Sequence, residues 1–315
     1  MEGFLPLEWA IFWSVLSIPF LVWGALKVKS MFAEHPEMKL TVAVSAAYMF
    51  VLSALKLPSV AGSSSHPTGS GLSTVFYGIG VTSLLASIVL VFQAFLLAHG
   101  GLTTLGANIF AMGIAGPSVA FFAYKVMQKA SISMSVSVFF AAFLADIVTY
   151  VTTSLQLALA YPTNGSFLAS FEAFFAIFAI TQIPLAIAEG VLLVIFFNFL
   201  AESKPDLLIG VVRVAKPNLE GRKNAILGAV LAIVIAVAML ANAAVGLLGT
   251  DDQGSQLIQE IDPDYQPWFS SFFVPSEGQE VMLFALQALI GLTILAYFIW
   301  HLRGKRSARK SEGDS

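Results

Sequence analysis

Long uninterrupted apolar runs alternate with short polar breaks along this chain. The runs have the length a helix needs to cross about 30 Å of hydrocarbon, roughly 20 residues. The clear ones are Leu7 to Lys27, Leu40 to Lys56, Val81 to Ala98, Leu102 to Tyr124, Ile132 to Leu159, Ser170 to Leu200, Ala225 to Leu248 and Val281 to Trp300. Backbone that faces lipid must hydrogen-bond to itself, and no segment alternates apolar and polar residues over ten positions as barrel strands do, so the runs predict helices. The first run is too long and too aromatic for a signal-peptide core, with no basic region before it and no small-residue cleavage site after it. It reads as a retained span.

Composition agrees. At 57% hydrophobic, 11% charged and a mean hydropathy of +0.84 over 315 residues, the chain is far from the roughly 25% charged content of soluble domains. It has no cysteine, which excludes disulfides, thiolate metal ligands and thiol nucleophiles. The net charge of −3 indicates no partner, and nothing points to nucleic acid.

The basic residues set the expected orientation, because short cytoplasmic loops are enriched in Lys and Arg. Of the 16, all but Lys56 fall in four clusters: Lys27, Lys29 and Lys39; Lys125 and Lys129; Lys204, Arg213, Lys216, Arg222 and Lys223; and Arg303, Lys305, Arg306, Arg309 and Lys310. These should face the cytoplasm. The segment Gly249 to Glu280, with seven acidic residues and no basic one, should face outside, so the amino terminus is expected outside and the carboxyl terminus inside. Between Lys39 and Lys125 the chain must then cross an even number of times, yet only three obvious spans lie there. The missing crossing falls on 57–80, which predicts that the chain enters near His66 as a short or broken helix at about 67–80 and returns through Val81 to Ala98. Irregular backbone at that depth needs protein or a cavity around it, which places the His66 loop against the interior. The expected fold is therefore all-α: a polytopic membrane bundle of about seven spans, one of them short or broken, plus a two-span C-terminal unit.

Polar stretches divide the chain. Residues 1–202 form a membrane domain with short connections, 203–223 a basic cytoplasmic linker containing Pro205 and Pro217, 224–302 a two-span domain with the outer loop 249–280, and 303–315 a basic cytoplasmic tail, expected to be disordered from Lys305 to Ser315. The break Gly62-Ser63-Ser64-Ser65-His66-Pro67-Thr68-Gly69-Ser70-Gly71 carries the clearest candidate chemistry, since an imidazole there reads either as a metal ligand or as a solvated loop residue. His99 precedes Gly100 and Gly101 in a tight turn and reads as a hydrogen-bonded turn residue or as a ligand; His35 and His301 flank inside loops and read as structural. Asp146, Glu172 and Glu189 lie within or at the edge of spans, where each must be paired, neutral or facing a polar cavity. Asp146 and Glu189 lie deepest and read as gating residues or as members of a network with Gln93, Asn108 or Gln182. Ala43 and Ala47, four apart on the second helix, offer a small-residue face for another membrane subunit. No Gly-x-x-x-x-Gly-Lys-Ser/Thr loop is present to bind ATP, and no HExxH or Gly-x-Ser-x-Gly pattern points to hydrolysis.

Longer polar motifs carry a resemblance. Met1-Glu2-Gly3-Phe4-Leu5-Pro6, Val51 to Val60 (VLSALKLPSV), Ser65-His66-Pro67-Thr68-Gly69, Phe92-Gln93-Ala94, Leu97 to Asn108 (LAHGGLTTLGAN) and Thr181 to Gly190 (TQIPLAIAEG) resemble the CbiM family, the substrate-binding component of energy-coupling-factor (ECF) cobalt transporters. Asp262 to Phe269 (DPDYQPWF) and Leu283 to Ala288 (LFALQA) resemble CbiN, its two-span companion, so the chain looks like a CbiM–CbiN fusion. The resemblance implies a Co²⁺ importer of the prokaryotic inner membrane serving cobalamin synthesis. It further implies a CbiQ-type coupling subunit and CbiO-type ATPases as partners, with no ATP site in this chain. The CbiN half favours cobalt over nickel, although nitrogen sites suit both and Ni²⁺ import is the alternative. A metal channel or sensor independent of ATP is a further one. In the family the ion is held by His66 of the His-Pro-Thr-Gly loop and by the amine, amide and imidazole of an opening Met-His-Ile that precedes Met-Glu-Gly-Phe. Those three residues are absent from this sequence, which leaves His66 and, displaced by three positions, the Met1 amine. A start codon assigned three codons late is the expected reason.

Overall fold

The structure, a computed structural model, describes residues 2–54, 66–97, 99–208, 211, 227–228 and 250–313. Its ordered elements are helical: α1 (Leu7–Glu34), α2 (Met38–Leu52), α3 (Ser70–Tyr77), α4 (Ile79–Leu96), α5 (Leu105–Asn108), a π-helical segment (Ile109–Ala115), α6 (Gly116–Lys129), α7 (Met134–Ala160), α8 (Phe167–Ser203), α9 (Thr250–Ile261) and α10 (Glu277–Gly313). The rod Leu105–Lys129 and helices α1, α4, α7 and α8 are each long and apolar enough to cross a membrane, and Met38–Leu52 and Met282–Phe298 are shorter apolar helices. This is the all-α membrane bundle that the apolar runs predict. All but residues 227–228 of the span expected at Ala225 to Leu248, and most of the linker, lie outside the described residues.

The stretch expected to supply the missing crossing contains α3. Its eight residues rise only about 12 Å. It begins beside His66 and ends where the Lys27 ammonium donates to the Tyr77 carbonyl at 2.7 Å. Gly78, at φ +77, then turns the chain, and α4 runs back until His99 stands beside His66. Lys125 lies within electrostatic reach of Lys27, so the two share one end of the bundle. α3 thus runs from the His66 side of the bundle towards the Lys27 side, as the short or broken helix expected at about 67–80 would.

The rod Leu105–Lys129 departs from a plain helix at its π segment for a local reason. Pro117 has no N–H to give the Gly113 carbonyl, which accepts instead from the Ser83 hydroxyl at 2.8 Å.

The second half packs onto the first through two helices. The acidic segment 249–280, expected as an open loop, contains α9, and Ile258 on its apolar side is buried with Leu157, Phe174 and Phe178. α10 lies along α2: the Gln287 amide donates to the Phe50 carbonyl at 2.8 Å and to the Ser53 hydroxyl at 3.0 Å. Gly291 fits so closely that an added Cβ would stand 2.5 Å from a Val51 methyl and 3.1 Å from the Ala47 carbonyl oxygen. Two expectations change. Ala47 is buried against α10 and is not open to another subunit, whereas Ala43 remains exposed. The tail expected to be disordered continues α10 to Gly313, a stretch free of proline in which five of the eleven residues 303–313 are Lys or Arg.

Because the chain has no cysteine, this docking is directly measurable. Ser53→Cys with Gln287→Cys, whose Cβ atoms are held apart by the length of the glutamine side chain, should be joined by a short bifunctional thiol reagent, giving a product visible by gel mobility. Adding Gly291→Leu should suppress it; unchanged cross-linking would mean that the close approach at Gly291 does not set the packing.

Candidate metal centre

The His66 loop is built from the helix break. Gly69 sits at φ +68, and a Cβ there would lie 2.6 Å from the Met49 Cα, so close backbone approach and a left-handed turn together demand glycine. This buries residues 66–69, His66 itself being 7% exposed. The His66 Nδ1–H donates to the Pro67 carbonyl at 3.0 Å, which leaves the lone pair on Nε2, the nitrogen able to bind a metal. The Tyr150 hydroxyl donates to the His66 carbonyl at 3.2 Å, tying the loop to α7.

Glu189 of α8 holds the next turn. Its carboxylate accepts from the Thr68 amide at 2.8 Å and the Thr68 hydroxyl at 3.2 Å. It thereby caps the start of α3 from outside that helix, while Lys27 caps the far end at Tyr77. Negative charge at a helix N-terminus and positive charge at its C-terminus both match the aligned peptide dipoles. One broken helix thus meets a charged side chain at each of its ends, the buried Glu189 at its start and the exposed Lys27 at its finish.

Asp146 lies fully buried beside Glu189 and the Thr68 amide, but at ordinary distance and angle neither of its oxygens meets a donor. The network expected with Gln93, Asn108 or Gln182 is not formed. Gln93 donates to the Ser53 carbonyl at 3.4 Å, Asn108 to the Gly100 carbonyl at 3.0 Å, and the Gln182 amide has no hydrogen-bond partner among the described residues. The backbone amides bared by the helix break take the place of those side chains at Glu189. Glu172 is exposed, near the start of α8, and His35 is exposed 3.2 Å from Glu37. The His301 side chain and Met1 lie outside the described residues.

A cavity of about 120 Å³ opens beside His66, its polar wall formed by His66, His99, Asn108, Tyr150, Gln156 and Asp251. His99 does not merely finish a turn: its ring centroid is 5.2 Å from that of His66. Leu5, also in the wall, belongs to an amino-terminal segment that both halves hold. Glu2 accepts from the Leu102 and Thr103 amides at 2.7 and 2.9 Å, the Tyr265 hydroxyl donates to the Gly3 carbonyl at 3.1 Å, and the Trp268 indole donates to the Leu5 carbonyl at 2.8 Å. Among the described residues, no three His, Asp or Glu side chains converge closely enough to enclose an ion. The sequence reading missed Tyr150, Gln156 and Asp251. For α7 a signal existed: Asp146, Thr149, Tyr150, Thr153 and Gln156 form a polar stripe at helical spacing in an apolar span.

A bundle of apolar helices that folds an imidazole-bearing loop into its interior over a polar cavity defines a polytopic membrane protein with an internal polar site. Residues 1–207 match CbiM, the cobalt uptake substrate-specific transmembrane region, and residues 221–312 match cobalt transport protein component CbiN. The chain belongs to the CbiM family and carries a CbiN region in the same polypeptide. It is 55% identical over 211 residues to a CbiM protein of Archaeoglobus fulgidus, covering 66% of this chain and 96% of that one. It is 54% identical to cobalt transport protein CbiM of Carboxydothermus hydrogenoformans, covering 64% and 82% of the respective chains. A crystal structure of a truncated transition metal transporter superposes with a TM-score of 0.52 at 23% identity, covering 64% of this chain and 97% of that one, a likeness that speaks for the fold alone.

Proposed function

We propose that this chain is the substrate-binding component of an ATP-driven Co²⁺ importer in a prokaryotic inner membrane. The observation that carries this reading is the buried His66, its Nε2 bearing the lone pair, on a loop fastened at Tyr150 and Glu189 beside a polar cavity. The names of its relatives support cobalt as cargo. In this reading the end of the bundle with His66, His99 and the acidic segment faces outward, and the Lys27 and Lys125 end faces the cytoplasm, as the basic clusters require. The amino terminus is then outside and the carboxyl terminus inside. Residues 1–202 form the metal-binding domain, 203–223 the linker, and 224–302 the companion unit, ahead of the basic tail 303–315. A CbiQ-type membrane subunit couples the chain to CbiO-type ATPases, and the imported ion serves cobalamin synthesis.

The test is uptake of radiolabelled Co²⁺ by cells expressing the chain with those partners. Uptake should depend on the ATPases and fall more with excess unlabelled Co²⁺ than with equal Ni²⁺. Uptake that persists without the ATPases would refute the ATP-driven reading, and dominant competition by Ni²⁺ would refute the choice of metal.

A further inference from the structure

Two carboxyl groups meet beneath the His66 loop. Asp146 of α7 and Glu189 of α8 are both fully buried and stand within hydrogen-bond reach of one another. Two carboxylates in contact in a membrane interior cannot both be charged, so the pair must hold a proton. The surroundings decide which residue carries it. Glu189 accepts from the Thr68 amide at 2.8 Å and the Thr68 hydroxyl at 3.2 Å, lies near the Gly69 amide as well, and stands at the N-terminal end of α3. Each of these favours its ionised form. Asp146 also lies beside the Thr68 amide, but that N–H is directed at Glu189, and neither Asp146 oxygen meets a donor at ordinary distance and angle. A buried carboxylate without donors is costly, whereas a carboxylic acid needs an acceptor, and the Glu189 carboxylate supplies one. The other elements packed around the pair do not change this. The Tyr150 hydroxyl on α7 is given to the His66 carbonyl, Tyr48 on α2 brings a neutral hydroxyl to the Glu189 side, and Asp251 of α9 lies beyond Tyr150 and is itself acidic. Among the described residues, no Lys or Arg acts on either carboxyl.

We infer that Asp146 is held as a neutral carboxylic acid whose O–H donates to the Glu189 carboxylate, so that one proton bound between α7 and α8 fixes the turn carrying Thr68, two residues from His66. Asp146 is then a positioning residue. It acts on the loop through Glu189 and needs no contact with the cation. Because the bond crosses the packing of α7 on α8, it also ties the loop to the relative placement of those two helices. The proton itself is independent of the reading of His66 as a metal ligand; only its effect on cobalt binding rests on that reading.

The test uses the full chain in a detergent free of ester groups, at neutral pH, where exposed carboxyls are ionised. Infrared spectra should show the carbonyl stretch of a buried protonated acid. Labelling aspartate with ¹³C at its side-chain carboxyl should shift that band, since Asp146 is the fully buried aspartate among the described residues, and labelling glutamate in the same way should leave it in place. Asp146→Asn should remove the band yet melt like the parent and bind Co²⁺ within about twofold of it, because its NH₂ group replaces the O–H donor. Asp146→Ala loses the donor and should weaken Co²⁺ binding about tenfold or more. A parent without the band, a band that follows the glutamate label, or an Asn variant as impaired as the Ala variant would each overturn the proposal while leaving the His66 reading intact. Parental Co²⁺ binding by His66→Ala, with the band in place, would refute that reading and leave the proton at Asp146.

Discussion

His66→Ala is expected to weaken Co²⁺ binding by at least about 100-fold and to reduce cobalt uptake to background, because it removes the nitrogen the loop is built to present. A 100-fold loss corresponds to about 2.7 kcal/mol. The fold should survive. The ring donates locally, to the Pro67 carbonyl, and the loop is also fixed through the His66 carbonyl, the Thr68 amide and the close packing of Gly69. The variant should therefore elute and melt like the parent while failing to bind. His66→Gln separates ligand chemistry from packing, since it keeps a polar group of similar reach but offers a weaker donor atom. It should bind cobalt poorly as well. A His66→Gln protein with parental affinity would show that the pocket holds the ion without this imidazole.

Much of the bundle was legible because membrane spans are written in length and hydropathy, and lipid leaves the backbone few choices. Even α3 could be anticipated from charge counting: Lys39 and Lys125 must share an end, and only 57–80 was free to supply the crossing. Its two charged caps were not legible. Glu189 reaches Thr68 across 121 positions of sequence and Lys27 reaches Tyr77 across 50, and no local pattern records such pairings. Asp146 and Glu189 were recognisable as costly residues that needed partners, but the partners sought were side chains. A helix break exposes backbone amides, and those met the need of Glu189. The second half was underestimated for a related reason. An acidic segment with no basic residue looks solvated, yet Ile258 spaced among polar residues in α9 anchors it to α7 and α8 and brings Asp251 to the cavity.

The same caps carry the second large effect. Glu189→Ala should lower the melting temperature and weaken Co²⁺ binding together, because it strands the Thr68 amide in a buried site at a cost of about 1–3 kcal/mol and releases the loop two residues from His66. Glu189→Gln should recover most of both. Its amide oxygen still accepts from Thr68, and its NH₂ group gives the adjacent Asp146 oxygens the donor they lack. Lys27→Met, which removes the cap at Tyr77, should destabilise less, since that end lies nearer the exposed rim of the bundle. Combining Glu189→Ala with Lys27→Met tests whether α3 behaves as one unit. Eight residues make too short a helix to hold one cap's worth of structure without the other, so losing either end should cost much of what losing both would. The double variant should melt well above the value given by adding the two single effects. Strict additivity would mean that the two charges stabilise separate neighbourhoods, and that the His66 loop owes its position to Glu189 and Tyr150 without help from the far end of α3.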